Sequence, residues 1–358
     1  MKKYRPIVVV LSFLGLFSPA LYGYPPTLVL GLEGGGTLFE SPEEGQDAVP
    51  LATVNMLTGW RGTTRAGGYL GLAASAKLLS YFSSPGILAD AEMLALEAGL
   101  PLGCGLVELE SSLDASVMGD GEDPAHLEPR WRAGLRLGGG AAQGIFSYRG
   151  SYLYQPNDIE DFLYQGLKLG AEWERFIRLG LRAGLEGGWE YWPDYFLLDG
   201  TGSPTGVPRQ DAVGSLEIGL DGLAGFFLDW RLAASGGLRW STANRFITGL
   251  GLEEGSENNL FAGLEAAVDW SPHRTVGLQL KGFLRQEWYL ARAALSSLGV
   301  DTGELLRVLA LGLTARADWT PNDRLFLVLE GSVGRRFAND PAEERWNATL
   351  QAGVEYSF

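Results

Sequence analysis

The last thirteen residues constrain this chain more than any other stretch. Trp346, Ala348, Leu350, Ala352, Val354, Tyr356 and Phe358 alternate there with Asn347, Thr349, Gln351, Gly353, Glu355 and Ser357. Successive side chains of a β-strand point to opposite sides, so a period of two held over this length defines a strand with one apolar and one polar face. The same dyad recurs upstream. Leu325, Leu327, Leu329 and Val333 oppose Glu330, Ser332 and Arg336; Leu309, Leu311, Leu313, Ala315 and Ala317 oppose Gly312, Thr314, Arg316 and Asp318. Leu278, Leu280 and Leu284 oppose Gln279, Lys281, Arg285 and Glu287, and Leu179, Leu181, Ala183 and Leu185 oppose Arg178, Arg182, Glu186 and Glu190.

Each alternating segment is ~10–14 residues long, enough to cross a bilayer core as a tilted strand, whereas strands of soluble sandwiches average ~5–6. The spacing predicts sixteen strands, at 27–40, 49–60, 67–82, 87–99, 104–118, 130–139, 143–155, 162–173, 176–191, 211–223, 226–240, 258–270, 275–289, 305–319, 324–337 and 345–358. Fourteen is the alternative, because Thr63 to Gly68 and Gly99 to Gly103 also read as bulges or loop. Connections alternate between short, as at Thr320 to Asp323, and long and polar, as at Gly119 to Pro129, Pro193 to Gln210, Ser241 to Glu257, Ala291 to Glu304 and Ala338 to Glu344. An acid–Trp pair precedes four short turns, ending at Trp173, Trp230, Trp270 and Trp319; Trp131, Trp189, Trp240, Trp288 and Trp346 sit at the opposite strand ends. Indole has an apolar body and a polar N–H, so two such sets suit aromatic girdles at the two headgroup layers.

A terminal strand closing on Tyr356 and Phe358 resembles the last strand of outer-membrane β-barrels of diderm bacteria. The resemblance implies an all-β, transmembrane, antiparallel up-and-down barrel with both termini periplasmic and Tyr356 and Phe358 read by the barrel-assembly machinery. An edge strand of a secreted soluble sandwich is the alternative. The beginning of the chain agrees with export. Met1-Lys2-Lys3-Tyr4-Arg5, an apolar run from Ile7 to Phe17 and small residues at Ser18 and Ala20 form a signal peptide over 1–20, with cleavage after Ala20 or as late as Gly23. Residues 24–358 then form a single domain. Losing Lys2, Lys3 and Arg5 leaves 25 basic against 43 acidic side chains, which disfavours nucleic acid as a partner. Cys104, the one cysteine, cannot form an internal disulfide, and glycine is unusually abundant at 51 of 358 residues.

If the apolar faces meet lipid, the polar faces line a lumen. Early strands bring Glu33, Asp90, Glu92, Glu108, Glu110 and Asp114 to it; the next bring Arg130, Arg132, Arg136, Lys168, Arg178 and Arg182. Later ones mix signs with Arg231, Arg239, Lys281, Arg285, Glu287, Arg316, Glu330 and Glu355. Unpaired charges in a dry interior cost several kcal/mol each, so this inside is wet, cross-paired or both. Opposed acidic and basic walls resemble the constriction of general porins; the plain alternative is that Arg132 and Arg136 bond Glu110 and Asp114 on the neighbouring strand. The segment Pro193 to Gln210 is long enough to fold inward, and a solvated outer loop is its other reading.

These readings point to a channel for passive diffusion of small hydrophilic solutes or ions, with a non-transporting adhesin or structural anchor as the alternative. A carrier of apolar compounds fits poorly with charged inner faces. Neither of the two histidines, His126 and His273, has the partners a hydrolytic site requires, so no catalytic residue is assigned. Asp120, Glu122, Asp123 and His126 read as a solvated acidic loop, and no cofactor or metal is called for. Outer-membrane lipid is the expected surrounding, and homo-oligomerisation stays open.

Overall fold

A computed structural model describes residues 22–23, 27–41, 45–63, 68–81, 88–102, 105–118, 126–139, 142–153, 162–175, 179–247 and 251–357. Sixteen long strands carry the architecture. The first eight are β1 (Thr27–Ser41), β2 (Gly45–Thr63), β3 (Tyr69–Tyr81), β4 (Leu88–Leu102), β5 (Gly105–Met118), β6 (His126–Gly139), β7 (Ala142–Leu153) and β8 (Phe162–Arg175). They continue as β9 (Leu179–Leu198), β10 (Pro204–Ala224), β11 (Leu228–Ser241), β12 (Asn259–His273), β13 (Val276–Leu295), β14 (Asp301–Asn322), β15 (Leu325–Ala338) and β16 (Arg345–Ser357).

Every strand pairs antiparallel with its neighbour in sequence, and β16 pairs with β1, from Trp346↔Glu40 to Ser357↔Val29. The β8–β9 ladder, Leu179↔Arg175 to Tyr191↔Leu163, joins the two halves. Each of the sixteen strands is therefore paired on both sides and the sheet has no free edge. That is the only way a sheet satisfies its backbone inside hydrocarbon, where each unpaired N–H or C=O costs several kcal/mol. Tyr22–Gly23 adds a two-residue pairing against Gly62 and Thr63 of β2.

The dyad sorts onto the two sides of this ring. Leu181, Leu185, Leu216, Ile218, Leu220, Leu264, Leu280, Leu313, Leu329, Leu350 and Val354 are all exposed, on the convex side. The side chains of Glu33, Asp90 and Glu92 lie outside the described residues.

Two long connections of the sequence reading are instead strand. Residues 193–198 and 204–210 extend β9 and β10 to a five-residue turn, and 291–295 and 301–304 extend β13 and β14 likewise. Register shifts between Trp192 and Phe196, and between Trp288 and Ala293, mark bulges where the strict alternation stops and the strands rise past the bilayer. The 242–258 connection carries its own small hairpin, Asn244–Ile247 against Gly251–Glu254. At the opposite end the described turns are short, at 225–227, 274–275 and 323–324.

Buried apolar residues are concentrated at the long-loop end. Leu306 and Val308 are fully buried with Tyr289, with Ala338 packed against them, and Ala243 and Ala294 are fully buried in the same end of the sheet. Hydrogen bonds tie that cap down: Leu290 N–H donates to Asn258 O (2.8 Å), Ser256 N–H to Ala243 O (3.0 Å) and Leu295 N–H to the Asp340 carboxylate (3.1 Å).

Candidate functional site: the concave wall

The girdle residues follow from register. Ala212 of β10 has Trp189 as its partner on one side and Trp240 on the other, which puts both indoles at one level. Near the short turns, Trp230 opposes Gly222, Trp270 opposes Leu228, Trp173 opposes Leu181 and Trp319 opposes Val276. Trp230 and Trp240 are ten residues apart on β11. That is ~33 Å of strand, and a tilt of ~40° makes it a band ~25 Å tall, the height of the apolar belt in such barrels. Trp288 and Trp346 lie at the long-loop ends of their strands, and Tyr356 sits exposed on the outward face near the short turns. Phe358, Arg178 and the segment 1–20 lie outside the described residues, as does the side chain of Asp114.

On the concave side the predicted charges sit largely in pairs. Arg132 Nη1 lies 3.2 Å from Glu110 and Arg136 Nη2 3.7 Å from Glu108, both across the β5–β6 ladder. Arg130 holds Glu128 (2.5 Å) on its own strand, and Arg182 meets Asp221 (3.4 Å). Lys281 pairs with Glu265 (3.4 Å), Arg285 with Glu287 (2.8 Å), and Arg316 with both Asp318 (2.8 Å) and Glu330 (3.5 Å). The alternation of signs is therefore local, pair by pair, rather than one acidic wall facing one basic wall. Most of these pairs are partly open to solvent, where an ion pair contributes ~0–1 kcal/mol. Among the described residues, Lys168 and Arg231 are the predicted cations that no carboxylate partners.

Glycine in the wall extends the reach of these pairs. Arg61 of β2 bonds Glu97 of β4 (3.3 Å) over Gly71, the residue that β3 places between them. Arg149 of β7 pairs with Glu186 of β9 across β8, which offers Gly166 opposite Arg149. The Tyr164 ring lies along the same wall, 2.7 Å from where a Cβ on Gly188 would stand, and its hydroxyl donates to Glu186 (2.5 Å). A side chain at Gly188 would push the phenol off the wall, which is why a bare residue is needed there.

Arg149, Tyr164, Arg209 and Asp211 were not singled out from sequence. Arg149 lies in Phe146-Ser147-Tyr148-Arg149-Gly150, which has no apolar run on either parity; only its position four residues beyond Ile145 on a strand starting at a tight turn marks it as inward. Arg209 falls in the segment read as loop, and Asp211 opens the strand read at 211–223. The structure gathers them with Glu190 and Arg239 just above the upper girdle. Arg239 reaches Glu190 (3.1 Å) and Asp211 (3.2 Å), and Arg209 holds Asp211 at 2.6 Å while stacking on Trp192 at 5.0 Å. The Ser241 hydroxyl also donates to Asp211, whose carboxylate is fully buried.

Three cavities of about 950, 400 and 310 Å³ run along the concave side, and Arg149 lines all of them. The 400 Å³ cavity draws residues from every strand from β7 to β13, which only the inner side of a curved sheet allows. A sixteen-stranded ring is wide enough for such space to be aqueous.

No protein-family model matches the chain, and no curated protein matches its sequence. Solved structures do match in fold. OccAB1 of Acinetobacter baumannii superposes with a TM-score of 0.53 and 7% identity, over 93% of this chain and 97% of that one. The outer membrane protein OprD from Pseudomonas aeruginosa gives a TM-score of 0.46 and 10% identity over 95% and 96%. OccD3 (OpdP) of the same organism gives 0.46 and 11% over 93% and 91%. The chain has the fold of an outer-membrane β-barrel of the porin-like kind.

Proposed function

We propose that the protein is an outer-membrane channel for passive diffusion of small hydrophilic solutes or ions. The observation that carries this is the concave wall: a series of partly exposed ion pairs bordering three cavities that share Arg149, where a filled barrel would show a packed apolar interior. Export follows a cleaved signal peptide over residues 1–20, lipid covers the convex face, and the strand ending at Tyr356 and Phe358 engages the assembly machinery. The charged inner residues, from Glu108, Glu110 and Asp114 through Arg130, Arg132, Arg136, Lys168, Arg178 and Arg182 to Lys281, Arg285, Glu287 and Arg316, line the path.

Purified mature protein in planar bilayers tests the reading, with stepwise ohmic conductance expected. Silence at high protein load overturns it and leaves the anchor or adhesin reading, which the cap of buried residues over β13 and β14 favours. Neutralising Arg132, Arg136, Arg178 and Arg182 together is expected to move the reversal potential in a salt gradient toward cations. An unchanged potential takes those residues out of the path.

A further inference from the structure

Midway between the two Trp levels, four neighbouring strands place Ile145, Gly170, Gly184 and Glu217 side by side on the concave face: Ile145 opposes Gly170, Gly170 opposes Gly184, and Gly184 opposes Glu217. The two adjacent glycines leave a bare floor. Lys168 borders it on the side of the long loops and Glu172 on the side of the short turns, each one dyad step from Gly170 on β8. These residues line the cavity of about 310 Å³.

Three of the charges that border this alcove are unspent. Its four arginines, Arg132, Arg136, Arg149 and Arg182, are engaged by Glu110 (3.2 Å), Glu108 (3.7 Å), Glu186 and Asp221 (3.4 Å). Among the described residues Lys168, Glu172 and Glu217 make no ion pair and no side-chain hydrogen bond with the protein. One ammonium and two carboxylates thus face a common space with an apolar shoulder at Ile145. A solute that supplies opposite charges at its two ends can meet them with charge-assisted hydrogen bonds, about twice as strong as neutral ones.

We propose that this alcove is a binding subsite for a small zwitterion of amino-acid size. The solute carboxylate accepts from Lys168, its ammonium donates to Glu172 and Glu217, and its carbon atoms rest on Gly170 and Gly184 against Ile145. A simple anion would meet two carboxylates, and a simple cation would meet Lys168, so neither end suffices alone. The glycine floor sets the size, because any side chain there occupies the space the solute needs. A Cβ on Gly184 would have Lys168 Cε at 3.5 Å as its nearest neighbour, an ordinary contact, so the wall itself tolerates one.

The inference rests on the open-lumen reading, and binding measured apart from conductance separates the two. Saturation-transfer NMR on the detergent-folded protein compares L-alanine with propionate and isopropylamine, which keep one charge each. Alanine is expected to bind at least ~10-fold more tightly than either, since a hydrogen bond to a charged group is typically worth that much. Lys168→Gln and Glu217→Gln each lower alanine affinity by ~10-fold, Gly184→Leu abolishes it, and Arg324→Gln, an exposed cation at the 323–324 turn, leaves it unchanged. Heat-modifiable mobility shows that each variant is folded, and Gly184→Ala serves as the milder filler if Gly184→Leu does not fold. Equal binding of the three probes, or alanine binding indifferent to both Gly184 variants, overturns the subsite. Conductance without alanine binding removes the alcove alone; alanine binding without conductance removes the channel and keeps the alcove.

Discussion

The mid-barrel wall and the cap at the long-loop end use the same residue types to opposite effect. On the wall, Arg132 and Glu110 pair with much of both side chains still in solvent; in the cap, Asp211 is held by Arg209, Arg239 and Ser241 with its carboxylate fully buried. The wall contributes little to stability through its charges, because water screens them and backbone ladders already close the sheet. The cap cannot rely on hydrocarbon to hide its apolar faces, since its strands rise above the bilayer. It builds a small core of its own around Leu306, Val308 and Tyr289 instead. The contrast shows that the barrel holds two kinds of stability in one sheet, one supplied by the membrane and one by packing.

Removing a single carboxylate tests the difference most sharply. Asp211→Ala leaves Arg209 and Arg239 buried without that partner and is expected to destabilise the cap by ~3–5 kcal/mol, whereas Glu110→Gln on the wall costs less than ~1 kcal/mol. Amide exchange across 190–212 and 239–258 reads the first, and equal protection of both variants would erase the comparison. Leu306→Ala opens a void in the cap and costs ~2–5 kcal/mol, while Leu313→Ala on the lipid face costs less because acyl chains fill the gap. Urea unfolding in lipid vesicles measures both. Deleting residues 244–254 should raise single-channel conductance if the cap narrows the mouth, and an unchanged value places the narrowing at the wall.

The C-terminal strand offers a test of assembly rather than of the cap. Phe358→Ser is expected to lower the yield of heat-modifiable barrel severalfold, and a normal yield would count against its role as a signal. The smallest effect concerns the turn at the tip of β9 and β10. Asp199 accepts from the Thr201 hydroxyl and from the backbone N–H groups of Ser203 and Thr201, and these bonds hold its carboxyl below the ordinary carboxylate range. A depressed carboxyl stabilises the turn above its unfolded pKa, and that contribution is lost as pH falls through the folded value. The protection factor at Ser203 N–H should therefore fall on acidification, and a pH-independent protection factor would reject the account.

The strands were legible because lipid imposes one rule along a whole segment: β8, β12, β15 and β16 lie within a few residues of where alternation puts them. Where lipid stops, the rule stops. The Trp192–Gln210 and Ala291–Glu304 stretches carry bulges and lose the dyad, so paired strand looked like loop. The inward parity of Arg132, Arg136 and Arg182 was readable, and so was the Arg132–Glu110 pair across neighbouring strands; Arg136 takes Glu108 because the ladder register, which the sequence does not state, sets which acid lies within reach. Arg149 finds Glu186 two strands away, a match that depends on Gly166 being bare and on the register of two ladders at once.

That bridging over glycine bears on how the molecule comes to be made. The Arg61–Glu97 and Arg149–Glu186 contacts each join strands that are not adjacent, so no isolated hairpin holds either of them. Their attraction exists only after a third strand has docked, and it cannot guide the early zippering of β2 to β3 or of β7 to β8. The order in which this sheet grows is thus left to its tight turns and backbone ladders, while its electrostatics arrives late, as a check on a wall already standing.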